Sequence, residues 1–408
     1  MRTKLFIPRA SSPLLAEASL FQSAPLASTP IGDIWRWGSD NLFPEALSLL
    51  ARRSTTHRRI INDKADYISG KGFTIADEAL RSRALIDLAN SSGETLRQVV
   101  NRLAFDKALF GNAFLEVVTD SAHSFLALFH QDATRCRLAK DGLHVVLHHN
   151  WSRYLPSEAA SLPLYPNFEV GSDGNLHSII HYKDYEPMFS HYGVPPYIAG
   201  LNVSTIAYKT DTWNISRLDN SFQLSGVMLL DGGLESEEQA EELMRTAQRK
   251  FAGKPGQVMF MIKECNDGDS SRFIPITASN EGDWRELHDQ ATGDIVVAHS
   301  WFRSLSGLDY GGGFSSERIL HEWEVALNTV ILGEQEELLE PIRALLSSVF
   351  GEDGSSLAVV NRPPSRSKPL YMKVWEARKA DGLDYDPADP EQQIYVAQVT
   401  KYGLKNID

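Results

Sequence analysis

The stretch from Tyr192 to Leu230 constrains the fold more than any other part of the sequence. It runs YGVPPYIAGLNVSTIAYKTDTWNISRLDNSFQLSGVMLL, and no further proline follows Pro195 and Pro196 within it. A proline pair cannot lie inside a helix, because proline lacks the N–H that the helix needs, but it can precede one. The stretch therefore predicts a long helix and then a strand, placed between two segments that have strand patterns.

Helical and strand patterns alternate before that stretch. Leu96, Val99 and Leu103 recur at helical spacing, and Gly111 then turns the chain into the apolar run AFLEVV. An earlier helical pattern, PEALSLLARRSTTHRRIINDKADYISG, stops at Gly70. The segments FLALFH, GLHVVLHH and HSIIHYKDY have the composition of strands and are separated by Asp-Gly and Gly-Asn turn signals. The first half is therefore expected to be α+β.

A small α/β module is predicted directly after the long helix. Its helix, ESEEQAEELMRTAQRKF, has Ser236 and Gln239 at capping-box spacing, with acidic residues at its start and Arg249 near its end. The strand patterns FQLSGVMLL, QVMFMI and RFIPITA surround that helix. A second helical pattern, EGDWRELHDQATGDIVVAHSW, follows the module. The two helices that flank the module would then stand side by side, with the module at their tip.

The part of the chain after this second helix predicts a loop and a long helix. Three consecutive glycines, Gly311 to Gly313, have the greatest backbone freedom in the sequence and indicate a loop. The segment RILHEWEVALNTVILGEQEELLEPIRALLSSVF has a helical pattern, in which Gly333 and Pro341 predict a kink or a break.

Composition and missing motifs exclude several classes of protein. The net charge is −13, which argues against a protein that coats nucleic acid. Cys136 and Cys265 lie far apart and form no CxxC pair, so neither a disulfide scaffold nor a cysteine zinc site is expected. The sequence contains no Walker A, GxSxG, HExxH or GxGxxG motif and no run of apolar residues long enough to span a membrane.

Histidines on the strand-like segments leave one enzymatic alternative open. His144 and His148 would lie on the same face of a strand, and His130 could lie near them. A metal-dependent hydrolase that uses these three histidines is the alternative function, since a catalytic metal needs three convergent ligands. The simpler interpretation is a set of histidines on a sheet surface, with no metal bound.

Four arginines, Arg52, Arg53, Arg58 and Arg59, fall within the short segment ARRSTTHRRI. They could contact nucleic acid, an acidic neighbouring subunit, or only solvent on a helix face. The sequence alone leaves these three interpretations open.

The ordered set of segments resembles the phage portal protein family of the HK97-like type. LIDLANSSGETLRQVVNRLAFDKALFGNAFLEV is similar to the helix and Gly-Asn-Ala strand of that family. IIHYKDYEPMFSHYGVPPYIAGL resembles its His-containing strand and the Tyr-Gly-x-x-Pro lead into a stem helix. FQLSGVMLL and SEEQAEELMRTAQRKFAGKPGQVMFM are similar to the strand, helix and strand of its clip. The resemblance covers residues 50–350 in element order.

The resemblance implies an α+β portal-like subunit whose parts follow one another along the chain. They are an N-terminal arm and wing (1–190), a first stem helix (191–225), a clip (226–280), a second stem helix (281–302), a tunnel loop (303–316), a long kinked wing helix (317–350) and a short crown or tail (351–408).

The function that the resemblance implies is structural. It is a ring of about twelve copies at a capsid vertex of the virion, assembled in the host cytoplasm, with no cofactor, catalytic residue or metal and no membrane contact. Double-stranded DNA would pass through the ring during packaging and ejection, and the terminase large subunit, capsid, scaffold and neck or adaptor proteins would dock on it. The tunnel-loop residues would be Ser304, Asp309, Tyr310, Gly311, Gly312 and Gly313, and the docking residues of the clip would be Glu237, Glu241, Arg245 and Arg249.

Overall fold

The structure is a computed structural model. It describes residues 29–76, 85–122, 126–219, 226–231, 259–263, 272–275, 283–308, 316–350, 354–364, 373–380, 385–390 and 392–394.

Helices and strands alternate along the described part of the chain, which confirms the expectation of a mixed α and β fold. The helices are α1 (Phe43–Arg53), α2 (Thr55–Ser69), α3 (Leu96–Phe110), α4 (Leu201–Asp219), α5 (Asp283–Ala298), α6 (Ser316–Ala326), α7 (Leu332–Phe350) and α8 (Val374–Ala380). The strands are β1 (Pro30–Ile31), β2 (Ile34–Trp35), β3 (Phe73–Thr74), β4 (Asn112–Thr119), β5 (Leu126–Gln131), β6 (Cys136–Leu138), β7 (His144–Leu147), β8 (Ala160–Pro163), β9 (Glu169–Val170), β10 (Leu176–Lys183), β11 (Gly226–Asp231), β12 (Met259–Lys263), β13 (Arg272–Pro275) and β14 (Ala358–Val359).

Local signals fix both ends of α3. The Thr95 side chain accepts a hydrogen bond from the Gln98 N–H, and the Gln98 side chain accepts one from the Thr95 N–H, so the helix starts at a capping box. Gly111 ends it in the left-handed region with φ of +65°. A side chain at Gly111 would overlap the backbone of Val194, so this glycine also allows the chain that leads into α4 to pass closely.

An antiparallel sheet in the order β5-β4-β10-β9 lies against these helices. Its strand β4 is buried on both faces, which explains its nearly continuous apolar sequence. Leu115 belongs to the largest hydrophobic cluster, whereas Phe114 belongs to a second cluster on the opposite face. A smaller antiparallel sheet has the order β6-β7-β8.

The main core joins elements from both halves of the chain. Its fully buried members include Ile60 of α2, Val99 of α3, Leu115 of β4, Ile295 of α5 and Leu338 of α7. Because the side chains of α5 and α7 fill the same core as those of α2 and α3, the late helices cannot separate from the early ones without exposing apolar surface.

Helices α4 and α5 form an antiparallel helical hairpin. At its base Gly200, just before α4, leaves room for the methyl group of Ala298, and a side chain at Gly200 would overlap that methyl group. Farther along, His288 of α5 lies 3.5 Å from Asp211 of α4. The two helices predicted before and after the small module thus lie side by side.

Strand β11 begins the small module and lies between its two partners in the sheet order β12-β11-β13. It pairs parallel with β12 and antiparallel with β13. A parallel pair needs a crossover between its strands, and the helix predicted for that crossover, 236–251, lies outside the described residues.

The long C-terminal helix differs from the prediction in where it is irregular. The α-helical pattern is interrupted by a π-helical segment at Leu327–Ile331, and α7 then runs through Gly333 and Pro341 to Phe350. Of the predicted kink or break, the break does not occur at Gly333 or Pro341, because an interior proline removes a single backbone hydrogen bond and the packed neighbours of α7 hold the helix together. None of the described helices has the length and apolar character needed to cross a membrane.

Candidate functional site

Ser304, the first predicted tunnel-loop residue, is buried in a short 3-10 helix at Ser304–Ser306. Its N–H donates a hydrogen bond to Glu322 Oε2 over 3.0 Å, and its hydroxyl donates one to Glu322 Oε1 over 3.2 Å. Placing Ser304 on an open loop was therefore a mistake, since a carboxylate of α6 holds it inside the protein. Asp309, Tyr310, Gly311, Gly312 and Gly313 lie outside the described residues, as do Glu237, Glu241, Arg245 and Arg249 of the predicted docking face.

The three histidines of the hydrolase alternative do not form one site. His130 lies on β5 and bonds Asp106 over 2.8 Å. His144 lies on β7, in the other sheet, and bonds Asp141 over 2.6 Å and Glu169 over 3.1 Å. His130 and His144 thus bond to different carboxylates, and His148 contacts neither His130 nor His144. The structure does not support the hydrolase.

His148 instead lies near His149 and Glu158, with one potential ligand atom of each residue within 4.8 Å of the others. The tautomer of His148 argues against a metal there. Its Nδ1 accepts the Asn150 N–H over 3.1 Å, so the proton of the neutral ring is on Nε2. Because Nε2 is the atom that faces Glu158, at 3.9 Å, it has no lone pair to offer a metal ion.

Two buried histidines meet at the base of the helical hairpin, a contact that no pattern in the sequence predicts. His57 Nδ1 of α2 lies 2.7 Å from His299 Nε2, just after α5. The Tyr197 ring, just before α4, stacks on His299 with a centroid distance of 4.6 Å and meets the His57 ring edge-on. We call His57, His299 and Tyr197 the joint, because the three residues connect α2 to the starting point of one hairpin helix and the end point of the other.

Burial keeps the joint uncharged at neutral pH. It lowers the pKa of His57 to about 4, with a further contribution from Arg58. Burial, His57 and Lys64 together hold the pKa of His299 well below its usual value. Two neutral imidazoles can share a hydrogen bond when one donates and the other accepts, and the contact is lost once both rings are protonated, because neither can then accept.

Comparisons with known proteins agree with this architecture. A chain of the structure titled "Neck of native GTA particle computed with C12 symmetry" has a TM-score of 0.51 and 15% identity, and the match covers 91% of this chain and 100% of that one. A chain of "Virion of native gene transfer agent (GTA) particle" has a TM-score of 0.51 and 16% identity, over 84% of this chain and 94% of that one. The chain has a phage portal fold. The resemblance found in the sequence is thereby confirmed at the level of the fold.

One further solved structure and one sequence relative also match the chain. An HK97 family phage portal protein from Corynebacterium diphtheriae has a TM-score of 0.42 and 10% identity, over 74% of this chain and 88% of that one. An uncharacterized protein of Rickettsia felis is 23% identical over 257 residues, and the match spans 62% of this chain and 62% of the length of that relative. No known family profile matches the sequence.

A buried lysine connects three elements of this portal fold. Lys107 of α3 is only 3% exposed, and its Nζ lies 2.7 Å from Asp184, 2.7 Å from Glu334 and 3.0 Å from Glu337. Asp184 follows β10, and the two glutamates lie on α7. Burial by itself would lower the pKa of Lys107, but Glu334 and Asp184 outweigh burial and raise it, so the lysine stays charged. The sequence hinted at this cluster only through the acidic run GEQEELLE.

Proposed function

We propose that the protein is a portal: a ring-forming conduit for double-stranded DNA at a capsid vertex, with a structural rather than an enzymatic role. The observation that carries the proposal is the match to a chain of the GTA neck, which includes all of that chain and whose title states C12 symmetry. Because the match extends over a whole subunit, it supports assembly of this chain into a closed ring more strongly than a match to a single domain would.

Exposed apolar residues on the helical hairpin also support a ring. Val297 is 75% exposed on α5, and Ile215 is exposed on α4. A slender hairpin cannot cover such side chains with its own residues, but the hairpin of an adjacent copy could. The net charge of −13 fits a channel through which DNA slides, because every lysine or arginine bound to a phosphate adds affinity that would retard the duplex.

The proposal includes the partners and sites that the portal resemblance implies. DNA would pass without sequence readout during packaging and ejection, brushing a loop that contains Asp309, Tyr310 and the glycines Gly311 to Gly313. The terminase large subunit and the neck or adaptor proteins would dock on the clip through Glu237, Glu241, Arg245 and Arg249, and capsid and scaffold proteins would surround the ring after its assembly in the host cytoplasm. These assignments rest on the order of elements in the sequence.

The purified protein is expected to form rings with a central channel. Negative-stain microscopy would show the channel, and mass photometry over a concentration series would give the number of copies. A monomer that persists at high protein concentration and at several salt concentrations would contradict the proposed function.

A packaging assay with purified procapsids and motor tests the two proposed sites together. The change Asp309→Lys is expected to slow DNA passage, most strongly at low salt, because it adds a phosphate contact in every subunit. A wild-type packaging rate at low salt in this variant would show that the loop does not face DNA.

The change Glu241→Arg with Arg245→Glu is expected to weaken activation of the motor and leave ring assembly intact. Unchanged activation of the motor would show that the clip helix is not the docking face.

A further inference from the structure

The four arginines at the corner between α1 and α2 differ in what they contact. Arg59 pairs with Asp63 over 2.9 Å. Arg53 lies over the Tyr208 ring at 5.0 Å, and Arg58 lies over the Phe105 ring at 4.5 Å. Arg52 is exposed. Within the described parts of the chain, neither Arg52 nor Arg58 has a carboxylate partner.

Arg52 and Arg58 also repel each other. Burial and the charge of Arg52 lower the pKa of Arg58, which shows that the two guanidinium groups lie within each other's field. The start of α2 adds further positive potential, because its first turn contains no acidic residue and its N-cap residue, Ser54, makes no capping hydrogen bond. The Ser54 hydroxyl is buried and has no partner among the described residues. This corner, Arg52 and Arg58 with the start of α2, is therefore a cationic surface that no carboxylate of the described residues neutralises. We call it the arginine corner.

An acidic surface with unpaired groups runs along α6 and α7. Exposed positions recur there at intervals of four residues, from Glu324 through Asn328, Leu332 and Glu336 to Glu340. Four residues exceed one α-helical turn, and the wider π-helical segment at Leu327–Ile331 offsets about half of the rotation that accumulates from Glu324 to Glu340, so these positions stay on one side. Glu336 pairs with Arg343, but Glu324 and Glu340 have no basic partner within the described ranges. We call the exposed positions from Glu324 to Glu340 the acidic stripe.

We propose that the arginine corner of one copy of this chain binds the acidic stripe of the next copy, with Arg52 facing Glu324. This inference rests on the proposed function, because it assigns the contact that closes the ring. Two different surfaces of one chain that bind each other give a head-to-tail contact, which is the kind of contact that builds rings of many copies.

Charge and apolar surface both favour a second copy as the occupant. Copies that each have a net charge of −13 repel one another, so a contact between them needs local positive charge. The arginine corner supplies that charge at one site. An exposed leucine, Leu49, lies on α1 beside the corner, and exposed Val325 and Leu332 lie on the acidic stripe. Apolar groups bordered by complementary charges are typical of a contact between protein subunits, whereas a phosphate site would not need them.

Charge reversal on each side tests the contact. The change Arg52→Glu alone and the change Glu324→Lys alone are each expected to lower the ring fraction in mass photometry about tenfold, since like charges then face each other. Combining them restores opposite charges, and we expect the ring fraction to return to within about threefold of wild type. Lys140→Glu and Glu186→Lys are the matched controls, because both residues are exposed and lie outside α1, α2, α6 and α7.

The possible outcomes distinguish a failure of this contact from a failure of the proposed ring. If wild-type protein forms no rings, the proposed function fails. If wild type forms rings and Arg52→Glu leaves the ring fraction unchanged, the arginine corner is not the contact. A third result, in which Arg52→Glu leaves the ring intact and lowers the affinity for a short random-sequence duplex in fluorescence anisotropy, would assign the corner to DNA and overturn the proposal. Circular dichroism of each variant shows whether a loss of rings is only a loss of folding.

Discussion

Replacing Lys107 with methionine is expected to lower the free energy of unfolding by about 4 kcal/mol, because three carboxylates would lose the cation that lies among them. Methionine keeps most of the volume of the lysine stem, so the loss would come from charge rather than from a cavity. Asp184, Glu334 and Glu337, which connect the end of β10 to α7, would then face one another, and Lys64 would remain as the positive charge that acts on Glu334 and Asp184. We therefore expect α7 to separate from α3 first.

Urea unfolding at neutral pH measures this change. Lys140→Met, at an exposed position, is the control and should change the free energy of unfolding by less than about 0.5 kcal/mol. Adding Glu334→Gln to Lys107→Met should recover part of the loss, because it removes one of the uncompensated charges. A loss below about 1 kcal/mol for Lys107→Met would mean that solvent already screens the cluster, as it does for surface ion pairs.

Local sequence patterns predicted those parts of the fold that depend on neighbouring residues. The stop at Gly111 and the apolar stripe of α3 involve residues within a few positions of each other, so spacing alone reveals them. The continuous run of β4 likewise follows from its burial on both faces. The helical hairpin was predicted because proline and glycine mark its borders along the chain.

Contacts between distant segments could not be predicted in the same way. His57 and His299 are 242 positions apart, and Lys107 and Glu334 are 227 positions apart. No spacing rule links such residues, because packing of the whole core brings them together. Ser304 illustrates the same limit: its sequence surroundings are those of a loop, and only Glu322 of a different helix explains why it is buried.

Acid is expected to weaken the joint at the base of the helical hairpin. Burial lowers the pKa of His57 from 6.5 to about 4, so between these pH values the unfolded chain binds more protons than the folded one. His299 is shifted in the same direction. The stabilising effect of the neutral pair is therefore complete above about pH 6.5 and decreases as the pH falls towards 4.

The groups around the joint increase this effect. The positive charge of Arg58 lowers the pKa of His57, and the positive charge of Lys64 lowers the pKa of His299. Tyr197, which stacks on His299, is uncharged because burial raises its pKa well above the usual value. Because folding lowers the pKa of His57 from 6.5 to about 4, the free energy of unfolding decreases by roughly 3 kcal/mol when the pH falls from 6.5 to 4.

The double variant His57→Asn with His299→Gln tests this assignment without removing the hydrogen bond. The asparagine amide can take the place of His57 Nδ1 and the glutamine amide that of His299 Nε2, but neither side chain titrates. Carboxylates elsewhere titrate equally in both proteins, so the difference between the two pH profiles of unfolding free energy isolates the joint. We expect the wild type to lose at least about 3 kcal/mol more than the variant between neutral pH and pH 4, because His57 alone accounts for that amount and His299 adds to it, with exposed His149→Gln as a control that follows the wild type. If the two pH profiles of unfolding free energy are parallel, the buried pair does not cause the loss of stability in acid. The reason is that two histidines with lowered pKa values must destabilise the folded state once the unfolded chain binds protons that the folded chain does not bind.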